Sequence, residues 1–547
     1  MRTRASDLLK LSARDSDIGV LSVADLRASP AAFDSSHKRV LLLYGFRDCP
    51  DDRALLARIS GGRALRVRSL PPSPTNLTWT SKAAQLAPEL AGTELTLCPS
   101  SSSFSLFVLQ SGLHDDTVET LALLGGLPWF LRVSVRDKWV YLLGIDEIPD
   151  PGVAVSSAVQ ELPLVSAAVA LLVFVRTHFP AASWFSRESY GNFVIDDPLL
   201  RPSHGFVQHE QLASRVARAN GAATIAFIPW NARRSAKETA ELYKVTPQLS
   251  ICAHGFEHIG EEFATPDLED LHWRATSAMR AMRLHESLTG VGFEAVMVFP
   301  QGKFSSDALG ALASAGFLAA ANSTFLATDA TGGVRLEHLL EPAVTAYGPL
   351  PLFRRRAPEY LSRFRYDLIL GKPLLLVEHH EYFKDQGEAF EQVFETIRGV
   401  APLIQWIPLG HIAKRLHLMR APRAGHREVR FYCRQFRFRV PDRATYEFTK
   451  REVSSDVRAV HVNGRPVDFT LERDTLRFCE ALAPNGRDVD VFVDTQPGAW
   501  TGNPRRGMSS KLSVAARRYL SEGRDNYIAT NAQFRSGWSL VRRLLKP

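Results

Sequence analysis

The sequence predicts an α/β protein built around a (β/α)7–8 barrel, with an α/β domain before the barrel and a small antiparallel β domain after it. Three observations carry this. From Gly191 to about Arg420, short apolar runs alternate with helix-like stretches, and seven or eight such repeats imply a closed or nearly closed parallel sheet. Four of the runs end in polar side chains, namely Phe193 to Asp197, Leu249 to His254, Val296 to Gly302 and Leu374 to His380. A barrel assembles its active site from such strand ends. After Pro422 the texture becomes antiparallel: Glu428 to Val440 and Asp488 to Asp494 alternate apolar and polar residues, and Asn463-Gly464 marks a hairpin turn.

In order along the chain, residues 1–150 read as an N-terminal α/β accessory domain. Arg39 to Tyr44, Phe104 to Leu109 and Trp139 to Gly144 are strand-like, Asp51 to Ile59 is helix-like, and the Pro- and Ser-rich stretches 71–76 and 99–103 are loops. Residues 151–190 form a helical connector. The barrel spans 191–420. Its helices are expected over Glu210–Ala219, Ala236–Tyr243, from Pro266 onward, Asp307–Ala315 and Glu388–Ile397. In the third of these, Leu268, Leu271, Ala275, Ala278 and Met282 recur at spacings of three and four and form one apolar stripe. Ala223–Trp230 and Phe317–Ala321 are further strands, and Leu403–Ile407 is read as the last. Residues 423–498 form a small β-sandwich-like domain, and 499–547 a basic helical tail.

With 547 residues, 45% hydrophobic and 23% charged, the chain has the composition of a soluble globular protein. No run reaches the roughly 18 unbroken apolar residues of a membrane span, and Leu162 to Val175 reads as a buried helix leading into the barrel. Met1 to Lys10 carries charge without an apolar core, so no secretory signal is expected and residence is taken as cytoplasmic. The five cysteines are scattered and odd in number, which excludes a disulfide framework and a zinc ribbon. From Arg505 to Pro547, ten Lys/Arg face only Glu522 and Asp525, equal to the whole-chain excess of +8. A solvated basic helix or an anionic partner, such as a membrane surface or glycan-lipid phosphate, both fit tail 505–547. Nucleic acid fits it less well, and charge alone does not separate them.

The strand ends carry the chemistry. His254 and His258 lie four apart, so a helical turn after the strand would point both imidazoles the same way, and neutral imidazole suits zinc and related divalent metals. Asp196 and Asp197 could cap the next element, but two adjacent acids beside a buried sheet are costly to keep charged without a cation. The Val298 to Gly302 turn could present a backbone N–H to an oxyanion. His379 and His380 supply a candidate general acid, strand alternation sending one inward and the other out. His204 and His209 are read as loop residues, and Arg354 to Arg356 as a solvated run in the loop before the late strand.

Taken together, Asp196-Asp197, His254 to His258, Val298 to Gly302 and Leu376 to His379, in that order over residues 191 to 415, resemble the motifs of the polysaccharide deacetylase superfamily (NodB homology, carbohydrate esterase family 4). The resemblance implies a deacetylase-type barrel. Asp197, His254 and His258 would bind a divalent metal, zinc foremost, with cobalt, nickel or manganese also compatible. Asp196 would be the base, Gln301 would stand at the oxyanion N–H, and His379 would protonate the leaving amine, with His380 as the fallback. The sequence departs from the pattern where the family places an arginine, at Val298, and Asp367 is the candidate partner of the late histidine. The expected activity is metal-dependent removal of acetyl from an N-acetylated sugar or glycan precursor. Two alternatives stand beside it: a glycoside hydrolase using Asp197 and Glu378, and a glycan-binding or assembly module on a degenerate barrel.

Overall fold

A computed structural model describes residues 18–28, 39–60, 66–70, 73–98, 104–109, 117–384, 388–453, 456–496, 508–528 and 530. Seven parallel strands close on themselves at its centre: β1 (Tyr190–Asp196), β2 (Ala223–Phe227), β3 (Leu249–His254), β4 (Glu294–Val298), β5 (Ala319–Asn322), β6 (Leu352–Arg356) and β7 (Leu374–His379). Closure is made by β1, which pairs with β7 from Gly191↔Leu374 to Asp196↔His379 and with β2 from Phe193↔Ala223 to Asp196↔Ala226. The expected last strand is reduced to Gln405–Trp406, which pairs only with the first residues of β1. The seventh barrel strand is instead β6, inside the stretch read from sequence as a loop.

Strand alternation sorts the side chains into two layers. Phe193 and Ile195 face outward into the cluster that packs the surrounding helices. Val194, Cys252, Val296, Val298, Ala321, Phe353 and Leu375 face the lumen, which is filled by Leu409, Ile412, Ala413 and Leu416. The last four belong to α8 (Leu409–Arg415, with Leu416 as its C-cap), so the barrel is a packed core rather than a pore.

The outer helices are α2 (His209–Arg218), α3 (Lys237–Val245), α4 (Leu268–Thr289), α5 (Ala308–Ser314), α6 (Leu361–Ile369) and α7 (Glu388–Val400). The Asp267 carboxylate caps α4 by accepting the Glu269 and Asp270 N–H groups at 2.9 and 3.3 Å. Leu271, Ala275, Ala278 and Met282 are fully buried along the expected stripe, whereas Leu268, in the first turn, is exposed.

Ahead of the barrel, α1 (Ala158–His178) is long and apolar enough to cross a membrane by length and mean hydropathy, 2.0, yet 72% of that window is buried inside the protein. It packs in one apolar cluster with the barrel helices and with a seven-stranded mixed sheet from the first 150 residues. Trp79 Nε1 donates to Tyr366 Oη at 3.0 Å and Tyr366 Oη to Ser166 Oγ at 3.2 Å, linking the sheet, α6 and α1 in a buried relay. The stretch expected to be a loop at 71–76 already enters a strand at Thr75, and 99–103 lie outside the described residues.

Beyond the barrel, a five-stranded and a four-stranded sheet enclose an aromatic core of Phe431, Phe436, Phe438, Phe448 and Phe478. The strand His417–Arg423 runs across the expected boundary near 420. Asn463 and Gly464 both adopt positive φ, 52° and 77°, as a two-residue hairpin turn requires. In the tail, α9 (Met508–Gly523) and a π-turn, Arg524–Ile528, are described. Residues 499–507, 529 and 531–547 lie outside the described residues.

Candidate metal centre

The C-terminal end of β1 places two adjacent acids in different surroundings. Asp196, the last residue of the strand, faces inward at 4% exposure. Asp197 would point outward if the strand continued. Its φ of +86° turns the chain instead and brings the carboxylate to the mouth, a conformation that non-glycine residues adopt only under constraint.

β3 ends in His254, buried and inward. Its Nδ1 lies 3.1 Å from the Val298 carbonyl. A carbonyl only accepts, so Nδ1 carries the proton and the Nε2 lone pair faces the site. The segment from His254 to His258 is not the helical turn considered from the spacing: beyond His254 it is irregular, with φ +64° at Gly255 and +54° at His258. Glu262 ties it down, its buried carboxylate accepting the N–H groups of Phe256, Glu257 and His258 at 2.8, 3.1 and 3.2 Å. A Cβ at position 255 would fall 1.8 Å from Glu262 Oε1, so only glycine fits there.

The two rings converge with centroids 4.8 Å apart. His254 Nε2 and His258 Nε2 lie 3.5 and 3.2 Å from the same oxygen, Asp197 Oδ1. That oxygen has no hydrogen-bond partner in the described structure. Burial and neighbouring His254 push His258 down to about 4, so the ring is neutral near pH 7. Burial alone would raise Asp197, but the two imidazoles outweigh it and hold the carboxylate below its ordinary range. One carboxylate oxygen and two imidazole nitrogens, within 4.8 Å of one another, are the donor set that zinc and its neighbours prefer.

Asp196 has its own partner. Arg355 on β6 donates Nη1 and Nη2 to the two carboxylate oxygens at 2.7 and 3.2 Å, and both side chains are buried. Burial would raise Asp196; Arg355 first, then His254, hold it below the usual carboxylate value. Asp196, on β1, thus takes its arginine partner from β6. Arg354 and Arg356 point the other way by alternation, pairing with Glu161 and Asp367. The Arg354–Arg356 run is therefore neither a loop nor solvated, and Asp367 is the partner of Arg356 rather than of a late histidine.

His379 ends β7 in register with Asp196, on the same side of the sheet, and is exposed. His380 lies past the strand end in a short 3₁₀ turn and is buried against Phe206 and Gly205, with Nε2 3.7 Å from Asp525 Oδ1 of the tail. Gln301 occupies a turn at φ +58°, exposed, in a loop fixed by Asn322 Nδ2 donating to the Gly302 carbonyl at 2.8 Å. His209 is structural, its ring bonded to Tyr243 Oη and the Leu199 carbonyl, whereas His204 is buried near His380. Glu378 faces out of the barrel, its register partner Ile195 lying in the outer layer; it cannot pair with Asp197 across the mouth.

No family profile and no curated protein matches the chain. Its structural neighbours are polysaccharide deacetylases and carbohydrate esterase family 4 members. It is similar to Agd3, a novel carbohydrate deacetylase, at 9% identity and TM-score 0.37, covering 87% of this chain and 98% of that one. A family 4 carbohydrate esterase from Streptomyces lividans is similar at 11% identity and TM-score 0.26, covering 40% and 90%. A CE4 family pseudoenzyme from Bacillus anthracis is similar at 9% identity and TM-score 0.24, covering 38% and 62%.

Proposed function

We propose that this chain is a metal-dependent hydrolase that removes an acetyl group from an N-acetylated sugar. The observation that carries the reading is the juxtaposition of a carboxylate–imidazole–imidazole set, whose Asp197 Oδ1 has no hydrogen-bond partner, with a second carboxylate clamped by Arg355. Asp197, His254 and His258 would hold a divalent cation, which supplies Lewis-acid polarisation of an acyl carbonyl and makes water more acidic. Asp196 keeps its charge because Arg355 neutralises it, and each carboxylate oxygen retains acceptor capacity beyond its bond to arginine. It takes the proton from the attacking water as the new C–O bond forms. His379, open to solvent on the same side of the barrel, gives a proton to the nitrogen as the C–N bond breaks, leaving acetate and a free amine. Gln301, in its strained turn, is the residue we assign to offer a backbone N–H to the oxyanion.

Two features support this over the alternatives. Glu378 points away from the mouth, which removes the carboxylate pair a glycosidase needs. Arg355 restores the clamp whose absence at Val298 favoured a degenerate barrel.

The test is acetate release from N-acetylglucosamine, its phosphates, its nucleotide sugars and N-acetylated oligosaccharides. Release should vanish on chelation, return with zinc, cobalt, nickel or manganese, and fall by about a hundredfold or more in Asp196→Asn. No acetate from any of these substrates in metal-loaded protein would sink the reading.

A further inference from the structure

The mouth of the barrel holds a second group of partnerless polar atoms, gathered under the tail. α9 and its π-turn rest on the loops that follow β1, β2 and β7. Glu522 pairs with Arg201 and Arg234, the Gly205 N–H donates to Asn526 Oδ1 at 2.7 Å, Asp525 faces His380, and Tyr519 packs on Trp230. The described part of the tail is therefore docked along one face and solvated along the other, where Leu512 and Leu520 are exposed; on the docked face Arg518 is 7% exposed.

Among the described residues, no group hydrogen-bonds or ion-pairs with the Arg518 guanidinium, and its Nε is buried without a partner. One turn before Glu522, Arg518 lies on the face of α9 that meets the loops after β1 and β2 at the mouth of the barrel. His204, in the loop after β1, is 2% exposed with both ring nitrogens partnerless, and His380 Nδ1 is partnerless too. Burial keeps the His204 ring neutral, so it has one N–H to give.

A buried guanidinium without an anion is costly, and the carboxylates nearby are committed. Asp196 is held by Arg355, Asp525 by Arg524 and His380, Glu522 by two arginines, and Asp197 by the imidazoles it faces. The chain thus brings a cation to the mouth, and among the described residues no carboxylate is in ion-pairing contact with it. We propose that Arg518, with His204 as a second donor, binds an anionic group, phosphate or carboxylate, carried by the N-acetylated substrate. This rests on the deacetylase reading and makes Arg518 the residue that selects acidic sugars over neutral ones.

The test is calorimetric binding to the purified full chain of N-acetylglucosamine, N-acetylglucosamine 6-phosphate, N-acetylmuramic acid and inorganic phosphate. Wild type is compared with Arg518→Ala, Arg518→Lys and, as a control on an exposed neighbour, Arg517→Ala. At least one acidic sugar should bind about tenfold tighter than the neutral sugar, the size of one charged hydrogen-bonding contact. Which one it is separates phosphate from carboxylate.

Arg518→Ala should abolish that preference and leave binding of the neutral sugar unchanged. Arg518→Lys, which keeps the charge and loses the planar fork, should retain part of it, and Arg517→Ala all of it. Equal binding of acidic and neutral sugars, no binding of either acidic sugar, or a folded Arg518→Ala or Arg518→Lys with the full preference overturns the proposal. So does inorganic phosphate binding as tightly as the sugar phosphate, because the site would then serve a free ion. Acetate release separates the two readings. Arg518-dependent binding without acetate removes the reaction and keeps the anion site; equal acetate from neutral and acidic sugars keeps the reaction and removes it.

Discussion

Arg355→Met isolates the pair on which the proposed base depends. Methionine is of similar length but carries no charge and no donors, so Asp196 would keep its burial and lose contacts of 2.7 and 3.2 Å together with the arginine's field. Removing one partner of a buried pair costs about 3–5 kcal/mol. Asp196 can lessen that by taking up a proton, at about 1.4 kcal/mol per unit of pKa change. The pH dependence then changes sign. In the wild type the depressed carboxylate contributes stability above its unfolded pKa of about 3.9 and loses it as pH falls through the lower folded value. In the variant, burial acts with its main opponent removed and raises Asp196. Its contribution becomes one present at low pH and lost as pH rises through the folded value. Urea midpoints followed by circular dichroism from pH 4.5 to 8 would be measured for wild type, Arg355→Met, Asp196→Asn and the double variant. The double variant, with no buried charge left at this pair, should be more stable than the two single losses added together, by a coupling of about 1–3 kcal/mol. A variant within about 0.5 kcal/mol of wild type, with no coupling, would refute the claim that Arg355 holds Asp196 charged.

Other expectations follow from the same geometry. Purified wild type should carry about one divalent metal per chain by elemental analysis, and a folded His254→Ala/His258→Ala variant none, since two of three ligands are gone. Glu262→Ala should weaken metal affinity by about 10–100-fold in a chelator competition while leaving the ligands themselves in place, because three N–H groups of the histidine turn lose their acceptor. His209 and His285 are buried and pushed down to about 4 by burial. Both are protonated in the unfolded chain below about pH 6.5 but not in the folded one, so stability should fall from pH 6.5 toward 4 by up to about 3 kcal/mol for each. Flat urea midpoints across that range would contradict neutral burial of these rings.

The barrel and its triad were legible because their signals are local. An apolar strand that ends in Asp196-Asp197, another that ends in His254, and a second histidine four residues later can be read from short windows. Ahead of the barrel only the runs at 39–44, 104–109 and 139–144 read as strands; the hairpin made by 118–124 and 127–135, which turns at Gly125-Gly126, did not. Leu403–Ile407 looked like a strand and supplies one two-residue pairing, because β1 is already paired with β2 and β7 along the rest of its length.

What the sequence determined by itself was the parallel β/α order and the candidate ligand types at the strand ends, since both depend on residue identity and spacing within one element. What only the tertiary structure decided was the charge state and the surroundings of those ligands. Three consecutive arginines read as solvated because nothing nearby in sequence neutralises them. In the fold their carboxylates come from Glu161, Asp196 and Asp367, separated by 193, 159 and 11 residues. Alternation on β6 then sends one guanidinium inward and two outward. The tail is decided in the same way: its charge was visible, but which arginine is stripped of water depends on helix α9 meeting three loops more than 140 residues earlier in the chain. Burial and pairing are sums over long-range contacts, and no window of sequence contains them.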